Sequence, residues 1–253
     1  NRVPMKQAGF VGSSAFAHKA GLHASAIAKD PSTYEHIDPA LVGNTRVIPM
    51  SNQAGQSNLR KRLSDAGLAV AKGDSALGRI LEVVKDREAQ GYAYDTAQAS
   101  FELLARDVMD QLPHLFEVER YRVTVERRRN AEGRMVSLSE AVVVVDVDGE
   151  KRLSVSESLD EDGADRGPVN ALSKALVKDL GKYSSLLDDM RLVDFKVRIT
   201  QGGTEATTRV IIDSEDGQGR RWSTVGVSAN ILDASFEALL DAIRWKLIRD
   251  RAQ

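Results

Sequence analysis

The 253 residues carry 35 Lys and Arg against 37 Asp and Glu, with four His and no Cys, for a formal net charge of −2. That balance disfavours nucleic acid or an anionic membrane as a partner, and the missing cysteines exclude disulfides, thiolate metal sites and a cysteine nucleophile. A hydrophobic content of 42% can fill one or two cores, but no apolar run nears the ~20 residues that span a bilayer.

The chain starts at Asn1 without methionine, and residues 1–9 lack the apolar centre of a signal peptide. It is expected to be a segment of a longer polypeptide. The lack of cysteine fits a reducing, cytoplasmic setting.

The first part, residues 1–113, reads as a helical subdomain. Residues 21–29 form a short helix that Asp30-Pro31 ends, because proline disfavours helix in the residue before it. Asp38-Pro39 has the cap-then-proline order of a helical turn, stopped by Gly43. Ser51 or Asn52 caps a helix running through Leu59 to Ala66 and closed by Gly67. Asp74-Ser75 opens the next, with Leu77, Ile80, Leu81 and Val84 at helical spacing and Gly91 at its end. Asp95 opens a third, with Phe101, Leu104 and Val108 on one face. Pro113 marks the boundary.

From Phe116 the period changes to two. Tyr121, Val123 and Val125 alternate with polar residues as a half-buried strand. Residues 141–147 are nearly continuous β-branched sequence, and Asp148-Gly149 turns them into 151–156. Pro168 starts a helix carrying Val169, Leu172, Leu176 and Leu180 inward. The pattern then recurs: Phe195, Val197 and Ile199, a strand over 207–212, a turn at Asp216-Gly217, a strand over 221–227, and a helix from Ile231 burying Phe236, Leu239, Leu240, Ile243 and Leu247. The fold class is therefore α+β, with residues 114–253 holding two strand-strand-strand-helix repeats, about 116–182 and 190–249. A sheet of three strands with one helix leaves a face open, which the other repeat or a partner chain must cover. The basic run Arg127-Arg128-Arg129 precedes Asn130-Ala131-Glu132-Gly133 and reads as the solvated end of a hairpin.

Three of the four histidines fall at positions 18, 23 and 36, beside Tyr34. Histidine titrates nearest neutral pH, so the cluster suits proton chemistry or anion recognition. His23 has a plainer reading as a helix-end histidine bonded to a carbonyl, and Tyr34 as a partly buried aromatic with a wet hydroxyl. In the repeats, Gly167-Pro168-Val169-Asn170 and Ala229-Asn230-Ile231, with Ala234 beyond, lie at helix starts. Free N–H groups there attract a carboxylate, although both stretches also serve simply as caps. The acidic cluster Asp160-Glu161-Asp162 reads as a solvated turn.

Phe16-Ala17-His18-Lys19-Ala20-Gly21-Leu22-His23, continuing through Asp30-Pro31-Ser32-Thr33-Tyr34-Glu35-His36-Ile37-Asp38-Pro39 to Val42-Gly43, resembles the linker subdomain after the catalytic barrel in the citramalate synthase and 2-isopropylmalate synthase family. Tyr94-Asp95 through Phe101-Glu102-Leu103-Leu104 is similar to the connector. Asp162-Gly163 through Gly167-Pro168-Val169-Asn170-Ala171-Leu172, Leu192-Val193-Asp194-Phe195-Lys196-Val197-Arg198-Ile199 and Thr224-Val225-Gly226-Val227-Ser228-Ala229-Asn230-Ile231 resemble its regulatory domain. The Tyr34-Glu35-His36 element, the connector and the segment from Trp222 to Asn230 lean toward the citramalate branch. Asn52 and Ala54 depart from the branch pattern, where aspartate and a small hydroxyl residue are expected.

The resemblance implies an acyltransferase parent that condenses pyruvate with acetyl-CoA, 2-isopropylmalate synthase with its own 2-oxo acid being the rival. His23 and Tyr34 would reach a barrel mouth, often the partner subunit's, as catalytic residues. Gly167, Pro168, Val169, Asn170, Ala229, Asn230, Ile231 and Ala234 would receive a branched-chain amino acid effector, isoleucine or, in the rival branch, leucine. A homodimer is implied. The family's divalent metal is held by an acid and a His-x-His pair on the barrel. This chain has no His-x-His, and His18 and His23 fall roughly 140° apart on a helix, so no metal site is expected within it and the chain alone should not turn over. Two readings from other classes stand beside this: a free-standing amino-acid-binding dimer module, and a dimerisation scaffold that binds nothing small.

Overall fold

The computed structural model describes residues 5, 8–12, 14–18, 26, 27, 29–46, 56–68, 70, 71, 73–160, 167–201 and 206–251. They form two compact units, Asn1–Thr96 with Leu104–Gln111 and Ala97–Leu103 with Leu112–Gln253. The class is α+β, with two separate three-stranded antiparallel sheets. No described helix is long and apolar enough to cross a membrane.

In the first unit, Asp30 and Asp38 each cap a one-turn 3₁₀ helix with proline at its first position, Pro31–Thr33 and Pro39–Val42. Their carboxylates accept from Ser32 N at 3.0 Å and Ala40 N at 3.1 Å. Asp30-Pro31 thus starts a turn as well as ending the helical residues 26, 27 and 29. Gly43 closes the second turn at φ 67°. Most of the helix expected over 21–29, and the caps expected at Ser51 or Asn52, lie outside the described residues. Helix α1 (Gln56–Asp65) buries Leu59 and Leu63, one turn apart. Helix α2 (Ser75–Ala89) is capped by Asp74 and buries Leu77, Ile80 and Val84. Helix α3 (Gln98–Val108), whose residues 98–103 belong to the second unit, starts three residues later than the Asp95 expectation. Its buried residues are Ala99, Ser100, Phe101, Glu102, Leu103 and Ala105, while Leu104 and Val108 are half-buried.

The second unit holds strands β1 (Glu117–Arg129), β2 (Met135–Val147) and β3 (Glu150–Asp160), then helix α4 (Pro168–Lys178). It continues with β4 (Arg191–Gln201), β5 (Thr207–Glu215), β6 (Arg221–Ser228) and helix α5 (Ile231–Arg251). Asp148 and Gly149 both take positive φ, 56° and 87°, which suits a two-residue hairpin. The β5–β6 hairpin turns over five residues, 216–220, Asp216 N donating to Arg220 O, and the left-handed residue is Gly219.

Helix α4 packs on β2 and β3, and α5 packs on β6 and β5. The inner face of β2 (Ala141, Val143, Val145, Val147), the α4 stripe (Ala171, Leu172, Ala175, Leu176), Val210 and Ile212 of β5, and the α5 stripe (Ala234, Ala238, Leu239, Ile243, Leu247) form one continuous core. The two repeats therefore cover each other, each fully buried Leu or Ile contributing about 1.5–3 kcal/mol. Strand β4 departs from expectation. Val197 and Ile199 are 41% and 69% exposed, because the helix of this repeat lies over the other two strands.

Close approach seats α5 on β6. A Cβ at Gly226 would collide with the Ala234 carbonyl. Thr224 Oγ1 donates to Ala238 O at 2.8 Å and Trp222 Nε1 to Ala242 O at 3.2 Å, so carbonyls at successive turns of one helix face carry the seat. Trp222 also stacks on Trp245, centroids 5.2 Å apart. The start of α3 is pinned to the same helix. Ser100 Oγ donates to Asp241 and accepts from Val225 N, and Glu102 accepts from Trp245 Nε1 at 2.8 Å and Arg249 at 2.7 Å.

A chain of charges locks the far end of α5. Lys246, only 2% exposed, reaches Asp189 and Asp250, both at 2.8 Å. Asp250 also pairs with Arg220, which pairs with Asp216. Asp189 further accepts from Gly217 N at 3.0 Å. The segment before β4, the β5–β6 turn and the last turns of α5 are thus held by one network.

Candidate functional site

Between the two aspartate-capped turns, residues 34–37 leave one side chain in the interior, Glu35, 7% exposed. An ionised carboxylate is buried only with partners. Arg46 supplies a fork, Nε to Oε1 at 2.8 Å and a terminal nitrogen to Oε2 at 2.5 Å, while His18 Nε2 meets Oε1 at 3.0 Å. The Arg46 guanidinium holds the Glu35 carboxyl below its ordinary range, opposed by burial and assisted by His18. By linkage, stability from this group is present above about pH 4.3, the unfolded carboxyl value, and lost as pH falls through the depressed folded value.

Tyr34 points the other way and is 44% exposed. His36 is exposed and meets Phe10 edge to face, 5.6 Å between centroids. Asn44 Nδ2 donates to the carbonyls of Phe10 and Gly12, both at 2.8 Å. The segments 10–18, 34–36 and 44–46 therefore meet around one carboxylate. His23 lies outside the described residues, as do Asn52 and Ala54. Glu35 and Arg46 were not singled out in the sequence. Glu35 lies between an aromatic and a histidine in a polar stretch, and its partners are 11 and 17 residues away.

The two helix starts of the repeats differ chemically. At α4, Gly167 precedes Pro168 and makes no side-chain cap, and no acidic residue lies in the first turn. Gly167, Pro168 and Val169 are half-buried and Asn170 is exposed. At α5, Asn230 caps Leu232 N at 2.9 Å, and Ser228 Oγ accepts from Asn230 N. Asp233 accepts the Tyr121 hydroxyl, and Glu237 accepts from Val227 N at 2.9 Å. Tyr121 also stacks on Phe236 at 4.4 Å. Burial, with the hydrogen bond to Asp233, raises the pKa of its phenol, which keeps the phenol a donor. Ala229, Asn230 and Ile231 are exposed, whereas Ala234 is sealed in the core. A carboxylate arriving at α5 meets a cap already made and two negative side chains, while the first turn of α4 itself carries no acidic residue and Gly167 no side-chain cap. Among the described residues, no three His, Asp or Glu are grouped to hold a metal ion.

Residues 95–247 match the LeuA allosteric (dimerisation) domain, and residues 10–91 match a homocitrate synthase post-HMGL domain-like segment. A protein of Synechocystis sp. named (R)-citramalate synthase is 44% identical over 98% of this chain and 44% of its own length. One of Aquifex aeolicus with the same name is 40% identical over 96% of this chain and 44% of its own length. A 2-isopropylmalate synthase of Methanocaldococcus jannaschii is 30% identical over 92% of this chain and 41% of its own length. The chain thus spans less than half the length of these relatives.

Proposed function

Because the chain belongs to the citramalate synthase and 2-isopropylmalate synthase family, we propose that it is the C-terminal linker and regulatory part of a citramalate synthase. The whole protein would condense pyruvate with acetyl-CoA to citramalate, on the route to isoleucine. The higher identity to proteins named (R)-citramalate synthase than to one named 2-isopropylmalate synthase carries the choice.

In this reading a base takes a proton from the acetyl-CoA methyl group, the enolate carbon attacks the ketone carbon, and water then cleaves the thioester. His23 and Tyr34 serve the reaction from the first unit: His23 moves a proton, and the Tyr34 phenol donates to a developing oxyanion. The exposure of Tyr34 supports its part. In the full-length protein, His23→Ala is expected to lower kcat about 10²-fold or more with pyruvate affinity nearly unchanged. Steady-state kinetics with unchanged turnover would remove His23 from the mechanism.

The second unit would be the sensor and the dimer interface. The start of α4 supports binding of isoleucine there, since the Val169 amide, left without a side-chain cap beside Pro168, suits the carboxylate and the Val169 side chain suits the aliphatic branch. Calorimetric titration into this chain is expected to show one isoleucine site per chain and weaker binding of leucine. No heat from either amino acid would end the effector claim.

A further inference from the structure

From Asp30 to Asp38 the chain exposes eight of nine residues wholly or in part and buries only Glu35. A segment so poorly anchored is ordinarily held by an apolar side chain, which avoids the cost of taking a charge out of water. A carboxylate holds it with direction as well. Each of its two oxygens accepts one bond from the Arg46 fork, so the carboxyl group cannot rotate without losing one of them. The peptide that follows Tyr34 is fixed with it.

The same carboxylate decides the state of His18. An ionised carboxylate only accepts, so the ring nitrogen facing it, Nε2, carries a proton. A carboxylate that orients an imidazole and fixes its tautomer is a recurring device in proton-transfer sites. Here it acts five residues before His23 and one residue after Tyr34. Arg46 also feels the charge of Asp38.

We propose that Glu35 is a positioning residue for catalysis: through Arg46 and His18 it sets the Nε2–H tautomer of His18 and the direction from which Tyr34 is presented. This rests on the reading that Tyr34 and His23 take part in the condensation. Aspartate, one methylene shorter, cannot span both partners. Glutamine puts an NH₂ group in place of one oxygen; since both oxygens accept from Arg46, the fork breaks in either orientation, and with the NH₂ at the Oε1 position the bond from His18 breaks as well.

Two measurements test it together. Long-range ¹H–¹⁵N spectra of the four imidazoles in this chain are expected to show His18 as a single Nε2–H tautomer, and Glu35→Gln to lose that single state. In the full-length protein, Glu35→Gln is expected to lower kcat at least about tenfold, within the ~10²-fold that a 1 Å misplacement costs. KM for both substrates should stay within about threefold. Glu35→Asp is expected not to restore kcat. Arg46→Lys keeps the charge but not the fork, and is expected to fall in between; it also serves if the glutamine variant does not fold. A native kcat in a folded Glu35→Gln or Arg46→Lys protein overturns the proposal, as does a native His18 with its proton on Nδ1. A loss explained wholly by a smaller folded fraction overturns it too. Tyr34→Phe and His23→Ala, run alongside, separate the failures. If they lose turnover and Glu35→Gln does not, only the positioning role falls. If none loses turnover, the catalytic reading falls and the positioning role with it.

Discussion

Gly226→Ala is expected to destabilise the chain by about 3 kcal/mol or more, at or beyond the upper end of ordinary overpacking. Gly226 has no positive φ, so the cost is space rather than backbone conformation. The added methyl meets the Ala234 carbonyl and the Ala238 amide, main-chain atoms that cannot swing aside. Helix α5 would have to lift off β6. Lifting it lengthens the bonds from Thr224 and Trp222 and opens the core beneath Ala234 and Ala238, both 0% exposed. Urea unfolding followed by far-ultraviolet circular dichroism gives the number. A loss under 1 kcal/mol would mean that the seat is far softer than described.

Lys246→Met is expected to cost about 3 kcal/mol. Removing one partner from a buried ion pair costs about 3–5 kcal/mol, and Met retains most of the stem's packing. The lower end applies because Asp250 keeps Arg220 and Asp189 is 45% exposed. At about 2–4 °C per kcal/mol for a chain of this size, the midpoint should fall by about 6–12 °C. Asp189→Asn alone should cost less, and the double variant should fall short of the sum. A Lys246→Met protein as stable as the parent would show that the network contributes nothing net.

The pH dependence follows from the same groups. Burial would depress the Lys246 ammonium, but Asp189 and Asp250 outweigh it and raise its pKa. That contribution is complete below about pH 10.4, the unfolded value, and fades as pH rises through the folded one. Lys246 holds the Asp189 carboxyl below its ordinary range, against the pull of burial. Burial likewise opposes ionisation of Asp216, yet Arg220 and the amides of Arg220 and Gln218 bring its pKa down. Both carboxylates stabilise above about pH 3.9 and lose that contribution as pH falls.

What the sequence made legible was local. Asp38-Pro39 with Gly43, Asp74 at a helix start and Asp148-Gly149 at a hairpin are rules satisfied within a few residues, and each sits where expected. Helical periodicity also found Leu172, Leu176, Leu239, Ile243 and Leu247. Strand alternation gave the face of Val197 and Ile199 but not which strands the helix would cover, and their exposure follows from that gap. Nothing in the sequence marks Lys246 and Glu102 as buried, because their partners are set by tertiary contacts; Glu102 meets Arg249 across 147 residues. At the candidate sites, Tyr34 was legible from its motif and Glu35 was not. The two helix starts looked alike because nothing in their own residues shows that Tyr121, 112 residues upstream, binds Asp233 in the first turn of α5.

The chain has two tryptophans, and both are in the stack between β6 and α5. Trp245 lies under Arg249 and donates to Glu102. Intrinsic fluorescence excited at the indole band therefore gauges the second repeat and the α3 start pinned to it, while the sheet of β1 to β3 stays dark. A titration read through that emission distinguishes events at one end of the second unit from events at the other without an added label.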